Sequence, residues 1–331
     1  MSTLVGVELR RLWSRRLFRL LVAGLFATLV VVAVVNGVRS NRNVAAAHAR
    51  AQQLAAQQAN PPAPLLAHCG GNVQVTPEPA GEFKGPIGGP CVWIQPSAQD
   101  FYSDPRFSFA GNVGNLVGAA ISLAAIIGFV VGAGFIGAEW TAGTFPLLLT
   151  WEPRRIRVLA AKALSAIGSF VAVGVVALVV AVGSAWLIAA TRGTTAGTTA
   201  LVWHHVIYDS LRGLLVVALL VGTGVAIAGL ARHTSAVLAG AVGYIVIFEI
   251  VVRRFHWQWL RWLLLENAGA LVAGKTQIFP VHEGPPGLFV NTVYTLHADR
   301  AALYLGSLFV AVMVVWAVSM MRRDVDESGR G

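Results

Sequence analysis

Long uninterrupted apolar runs dominate this chain, in place of the strict alternation of a half-buried strand or the three-to-four spacing of a surface helix. Six of them reach the ~20 residues that a helix needs to cross about 30 Å of hydrocarbon: Leu17–Val38, Val113–Ile136, Ile167–Ala190, Leu211–Leu230, Ser235–Val252 and Ala301–Met321. The pattern predicts an all-α integral membrane protein with six transmembrane helices. It also sets an organisation: 1–38 is an N-terminal amphipathic segment and the first span, 39–110 a polar module, and 111–331 the remaining spans. The first run follows "RRLWSRRLFR" and could open a signal peptide, with "AAA" at Ala45–Ala47 as a cleavage site. It exceeds the about 7–15 apolar residues of a signal sequence, and the small-residue site lies too far beyond it, so it reads as an anchor.

Composition agrees with the pattern. Of 331 residues, 56% are hydrophobic and 12% charged, and the mean hydropathy is +0.67. The net charge of +10 must therefore be read by location, because basic residues of membrane proteins gather near the cytoplasmic headgroups. With both termini cytoplasmic, Arg10, Arg11, Arg15, Arg16 and Arg19 fall on that side, as do Arg154, Arg155, Arg157, Lys162, Arg232, Arg322 and Arg323. Each basic side chain near an anionic leaflet is worth about 1 kcal/mol, and the sum favours this topology. Membrane lipids are then the partners of this charge, and nucleic acid is not. The scarcity of lysine against arginine, with abundant Ala, Gly and Val, suggests a high-GC bacterial source, and so a multi-pass protein of the bacterial cytoplasmic membrane.

In this topology the 39–110 module is extracytoplasmic. It begins "NVAAAHARAQQLAAQQAN", helix-favouring in its Ala and Gln content and stopped by Pro61 and Pro62. A Pro- and Gly-rich stretch follows with the only cysteines, Cys69 and Cys91. Two cysteines in one oxidising-side loop suggest a disulfide, worth roughly 3 kcal/mol in the loop-entropy view; two separate thiols are the alternative. The second outer segment, Arg253–Arg300, carries Trp257, Trp259 and Trp262 beside basic residues, an aromatic belt at the headgroups. The apolar stretch after it is too short to span and predicts re-entrant or interfacial helices between the fifth and sixth spans.

Sites for chemistry are sparse. "GALVAGKT", Gly269–Thr276, fits the phosphate-loop pattern letter for letter. A phosphate loop, however, follows a strand and opens a helix, and the sequence upstream, "RWLLLEN", reads as interfacial helix. The match reads as chance. "VHEGPP", Val281–Pro286, lacks the second histidine of a zinc helix, and His204 and His205 form an isolated pair in an outer loop. No catalytic, cofactor-binding or metal-binding residue is nominated. Small residues recur at Gly114 and Gly118, Gly128 and Gly132, and Gly222, Gly224 and Gly229, which suits close helix packing or a moving interface. Asn36, Asn112 and Asn115 near the outer ends could line a polar path or bond to neighbours. Glu249 is the one acid of its span, either functional or neutralised by Arg253 one turn later.

The link between the second and third spans, "GAEWTAGTFPLLLTWEPRRIRVLAAKAL", Gly137–Leu164, is the most informative stretch. Gly143 allows a reversal, Thr144 starts a short helix with Pro146 in its first turn, and Glu152–Pro153 disfavours continuation. The result is an apolar stub helix facing the cytoplasm, a surface that usually needs a partner. The pattern of E, G-T, an L-rich stub, P-x-R and a downstream K resembles the cytoplasmic coupling loop of ABC exporter permeases of the second class, the drug, antibiotic and polysaccharide exporters. The basic amphipathic start, "VELRRLWSRRLFR", the six spans and the broken helices before the sixth resemble the same family.

That resemblance implies a membrane-spanning permease that moves an apolar or amphiphilic substrate and couples to ATPase through Glu139, Gly143, Thr144, Leu147, Leu148, Pro153, Arg154, Arg155 and Lys162. It implies a homodimer or a heterodimer with a sister permease, two copies of a separate cytoplasmic ABC ATPase subunit, and ATP and magnesium held there with no cofactor on this chain. In that setting Arg154 and Arg155 either pair with ATPase acids or lipid phosphates, or simply anchor the inner face. The translocation path would include Asn36, Asn115 and Glu249. A secondary transporter, or a non-transporting membrane sensor acting through the outer module, is the alternative.

Overall fold

The computed structural model describes residues 2–60, 63, 73–77, 92–151, 154–255, 257–278 and 294–322. Helix α1 (Ser2–Ser14) is separated by Arg15 from α2 (Arg16–Arg39). After α3 (Val44–Gln57) and two short strands, β1 (Gln74–Pro77) and β2 (Val92–Gln95), come α4 (Phe109–Thr141), the eight-residue α5 (Thr144–Trp151) and α6 (Arg155–Arg192). The chain continues through α7 (Ala200–Ala231) and α8 (Thr234–Phe255) to a 3₁₀ turn (Trp257–Trp262) and α9 (Leu264–Ala273). Strands β3 (Lys275–Ile278) and β4 (Tyr294–His297) lead into α10 (Ala298–Arg322). Helices α2, α4, α6, α7, α8 and α10 are each long and apolar enough to cross a membrane, so the chain is an all-α membrane protein of six such helices.

Two differences from the hydropathy pattern matter. Helices α4 and α6 run past their apolar runs, to Thr141 and from Arg155, because helical hydrogen bonding continues after apolar residues give out. Those extensions carry Glu139 and Lys162. Helix α8 is not uniform either: Ile245–Val252 adopts the wider π-helical winding, a form that often marks functional segments. The two short strand pairs were not expected, β1 with β2 in parallel and β3 with β4 antiparallel.

Contacts divide the chain into two units. The first comprises Met1–Ala33, Ala110–Ala185 and Gly197–Gly331, the second Val34–Phe109 and Trp186–Ala196. The core of the first unit lies between α4 and α7. About half of each apolar stretch is buried there, 56% and 50%, against 11% for α8 and α10. Gly132 and Gly224 allow the approach: a methyl group on Gly132 would sit 2.6 Å from the Val221 carbonyl oxygen, and one on Gly224 2.6 Å from that of Phe129. These are backbone neighbours, so close packing without side chains is the requirement. Gly128, Gly222 and Gly229 are also filled against, by Val221, Phe309 and Trp316. Gly114 and Gly118 face open space, whereas Gly213, which the spacing did not single out, receives Ile121.

In the second unit, Asn43 caps α3 by accepting from the Ala46 amide at 3.0 Å, and His48 stacks on Tyr102 with ring centroids 4.1 Å apart. Ser40 Oγ donates to the Arg192 carbonyl at 2.8 Å and accepts from the Phe107 amide at 3.0 Å. Phe107 in turn accepts from the Thr194 amide at 2.8 Å. Cys69 and Cys91 lie outside the described residues, as do Pro153 and the "VHEGPP" stretch.

Candidate functional site

The stub helix α5 begins at Thr144, as the Gly-Thr pair predicts. Gly143 makes the reversal with φ +67°, a left-handed conformation that glycine adopts without the steric cost of a Cβ. Thr144 Oγ1 donates back to the Glu139 carbonyl at 3.3 Å, closing the turn. Phe145 is fully buried, its ring 4.8 Å from that of Trp140, so the helix is pinned by its first turn. Leu148 is half-buried, and Leu147 is 60% exposed. An apolar side chain is thus held outward by a rigid base.

That base is a buried ion cluster. Lys162, on α6, has no exposed surface. Its Nζ lies 2.6 Å from Glu139 Oε2, an ion pair rather than a directional hydrogen bond, and 3.0 Å from Glu8 Oε2 on α1. Arg15 completes the cluster, 2.8 Å from Glu139 Oε1, while its second nitrogen donates to the carbonyls of Gly134 and Phe135 at 3.3 and 3.1 Å. Burial pulls the Arg15 guanidinium below its ordinary value, and Glu139 opposes that shift. The Phe135 ring lies under both cations, 4.9 Å from Arg15 and 5.0 Å from Lys162. Three helices and the turn into α5 therefore meet at two carboxylates. Buried charges persist only when paired in this way.

Glu8, Arg11 and Arg15 were missed as partners, being read only as part of a basic N-terminal stretch. A signal was present: Glu8, Leu12 and Arg15 recur at i, i+4 and i+7, one helical face, and Glu8 is the only acid among the first 38 residues. Glu8 and Leu12 are both buried. Of the two arginines at the start of α6, Arg154 just before it is exposed, whereas Arg155, its first residue, donates to the Met320 carbonyl at 2.7 Å in the last turn of α10. Arg155 thus acts on a helix C-terminus. Arg232, left-handed at φ 60° between α7 and α8, places its guanidinium 4.8 Å over the Trp140 ring beside the stub.

Each residue nominated for a path has its own setting. Asn115 is exposed on α4, and Asn36 is half-buried in the second unit. Glu249 is 3% exposed in the π-helical stretch, and its partners come from both before and after it in the chain. Its Oε1 accepts from the Leu265 amide at 2.8 Å and from the Tyr244 hydroxyl at 3.2 Å, and that hydroxyl accepts from the Leu264 amide at 3.0 Å. Arg253 bridges Glu249 at 3.4 Å and Glu266 at 2.6 Å. Glu249 is therefore a cap for the first turn of α9, supplied by a residue 16 positions earlier.

The segment "GALVAGKT" has the reverse of phosphate-loop order. Helix α9 runs through Gly269 and ends at Ala273, Gly274 turns with φ +83°, and Lys275 opens β3 paired with His297. The motif thus opens a strand and not a helix. His204 and His205 stand in the first turns of α7 and not in a loop, His204 stacking 4.2 Å from Tyr208.

Six membrane-length helices, with an apolar stub held on buried charges, define a polytopic membrane protein. The chain belongs to a family described as ABC-2 family transporter protein, whose model matches residues 4–269, from α1 into α9. It is a membrane permease of an ABC transporter. No curated protein and no solved structure matches.

Proposed function

We propose that this chain is the membrane-spanning subunit of an ABC exporter in the bacterial cytoplasmic membrane, with both termini and α5 on the cytoplasmic side. It moves an apolar or amphiphilic substrate when driven by a separate ATPase subunit, with two copies of that ATPase serving a permease homodimer or a pair of sister permeases. ATP and magnesium are held by the ATPase, and this chain hydrolyses nothing. The observation that carries the reading is α5: Leu147 faces outward from a helix fixed by Phe145 and by the Glu8–Lys162–Glu139 cluster. A groove on the ATPase would seat Leu147 and Leu148, and its closure on ATP would push α5. Through Gly143, Glu139 and Lys162 the push reaches α4, α6 and α1 together.

The test is purification from native membranes through a tag placed after Gly331, with identification of what accompanies the protein. Co-purification of a soluble ATPase with the wild type, and its loss from Leu147→Asp without loss of membrane insertion, supports the assignment. A wild-type protein that purifies alone, with substrate movement driven by an ion gradient, would falsify it in favour of a secondary transporter.

A further inference from the structure

At the far end of α2 and α6, within the second unit, lies an open cavity of about 620 Å³ lined by Val38, Arg39, Ser40, Asn41, Arg42, Thr191 and Arg192. Among the described residues, three guanidinium groups line it and no carboxylate does. Its two hydroxyl groups have already donated their protons, and its side-chain amide oxygen already has a partner. Ser40 Oγ both donates, to the Arg192 carbonyl, and accepts, from the Phe107 amide. Thr191 Oγ1 donates to the Leu187 carbonyl at 2.7 Å, and Asn41 Oδ1 accepts from the Asn43 amide at 2.9 Å. The charged donors left to a ligand are the guanidinium groups. Arg39 and Arg42 are exposed and make no side-chain hydrogen bond or ion pair among the described residues. Arg192 has one contact, at the 3.5 Å limit, with the Gly37 carbonyl. Asp104, next to the Pro105 whose carbonyl accepts from the Asn41 amide at 3.0 Å, is committed to Arg106 at 2.7 Å. Such a lining suits a doubly coordinated oxyanion, since the planar guanidinium matches phosphate geometry.

A second observation chooses among phosphates. Arg39 and Arg192 are the last residues of two membrane-length helices, so the cavity sits where hydrocarbon gives way to headgroups. Just before the arginines, Val34, Val35 and Val38 on α2 and Leu187 on α6 are exposed, at 58%, 39%, 71% and 63%. The cationic cavity therefore continues into an apolar wall. A free anion has no use for that wall; an acyl chain does.

We propose that Arg39, Arg42 and Arg192 form a phospholipid headgroup site that grips the phosphate while the acyl chains lie along Val34, Val38 and Leu187. The site is separate from the coupling end and does not depend on the transported substrate. The experiment is native mass spectrometry of the delipidated full chain, titrated with phosphatidylglycerol in one arm and inorganic phosphate in the other. The variants are Arg42→Ala/Arg192→Ala and, as a control for general charge loss, Arg10→Ala/Arg16→Ala. The proposal expects phosphatidylglycerol affinity to fall roughly ten-fold or more in the first variant, the order expected for two lost charge-assisted contacts, and to hold in the control. Equal affinity in the wild type and the cavity variant overturns the site. Binding of inorganic phosphate as tight as that of the lipid, and lost in the same variant, overturns the lipid assignment and leaves a free-anion site. A circular dichroism spectrum shared by all three proteins excludes misfolding as the cause of a loss.

Discussion

Removing the cation from the buried cluster is the sharpest perturbation the fold offers. In Lys162→Met the side chain stays unbranched, one heavy atom shorter, and loses its charge, at a position with no exposed surface. Glu139 still has Arg15 at 2.8 Å. Glu8, 3% exposed at its side chain, is left with Arg11 at 3.6 Å, a partner that is 46% exposed. At an effective dielectric near 20, each unit-charge contact near 3 Å is worth roughly 5 kcal/mol of attraction. Desolvation offsets much of that while the pair is intact, but none of it when one partner is missing. The expected loss is therefore that of a broken buried pair, roughly 3–5 kcal/mol. The reasoning also requires a rescue. Glu8→Gln with Lys162→Met removes the stranded carboxylate and leaves Glu139 to Arg15, so the double variant should regain roughly half or more of the loss. Reversible unfolding by SDS in mixed micelles, followed by tryptophan fluorescence, measures both. If the single variant matches the wild type within about 1 kcal/mol, or the two changes add without rescue, the cluster does not hold these helices together.

Other outcomes follow from the same geometry. Gly143→Pro cannot adopt φ +67°; it should leave insertion intact but abolish transport-linked ATP hydrolysis in reconstituted vesicles, and unchanged substrate-stimulated hydrolysis would count against α5 as the coupling element. Gly132→Ala with Gly224→Ala presses methyl groups against backbone carbonyls on both sides of the α4–α7 contact, costing about 1–3 kcal/mol each; SDS unfolding indistinguishable from the wild type would argue against that contact. Glu249→Gln keeps one acceptor for the Leu265 amide and should change little, whereas Glu249→Ala should free the first turn of α9, seen as faster amide exchange over 263–267 and nowhere else. Deleting 43–104 should leave ATPase coupling in place if the module is an accessory, while total loss of function would favour the sensor alternative.

Much of the fold was legible in the chain because the bilayer imposes a rule that needs no tertiary information: a span must be apolar, long and internally hydrogen-bonded. The six helices, the stub after Gly143–Thr144 and the helix after Asn43 all follow from local pattern and turn chemistry. Helix ends were less legible, since α4 and α6 continue into polar sequence where hydropathy falls silent. The glycines divide instructively. Gly128 and Gly132 repeat the four-residue spacing of Gly114 and Gly118, but only three-dimensional packing decides which pair meets a neighbouring helix.

The site shows the same division. Glu139 and Lys162 stand out in one 28-residue loop, but their partner Glu8 is 154 positions from Lys162 and no local pattern joins them. Glu249 looked like an intramembrane acid awaiting a role; its partners, the Leu265 amide and Tyr244, come together only because the chain folds back after the π-helical stretch. Hydropathy and turn propensity are properties of neighbouring residues, so the chain alone determined the class, the spans and the stub helix. Charge pairing at 3 Å is a property of distance in space, and for that reason the tertiary structure alone decided which of the ionic residues form the base of α5 and which cap α9.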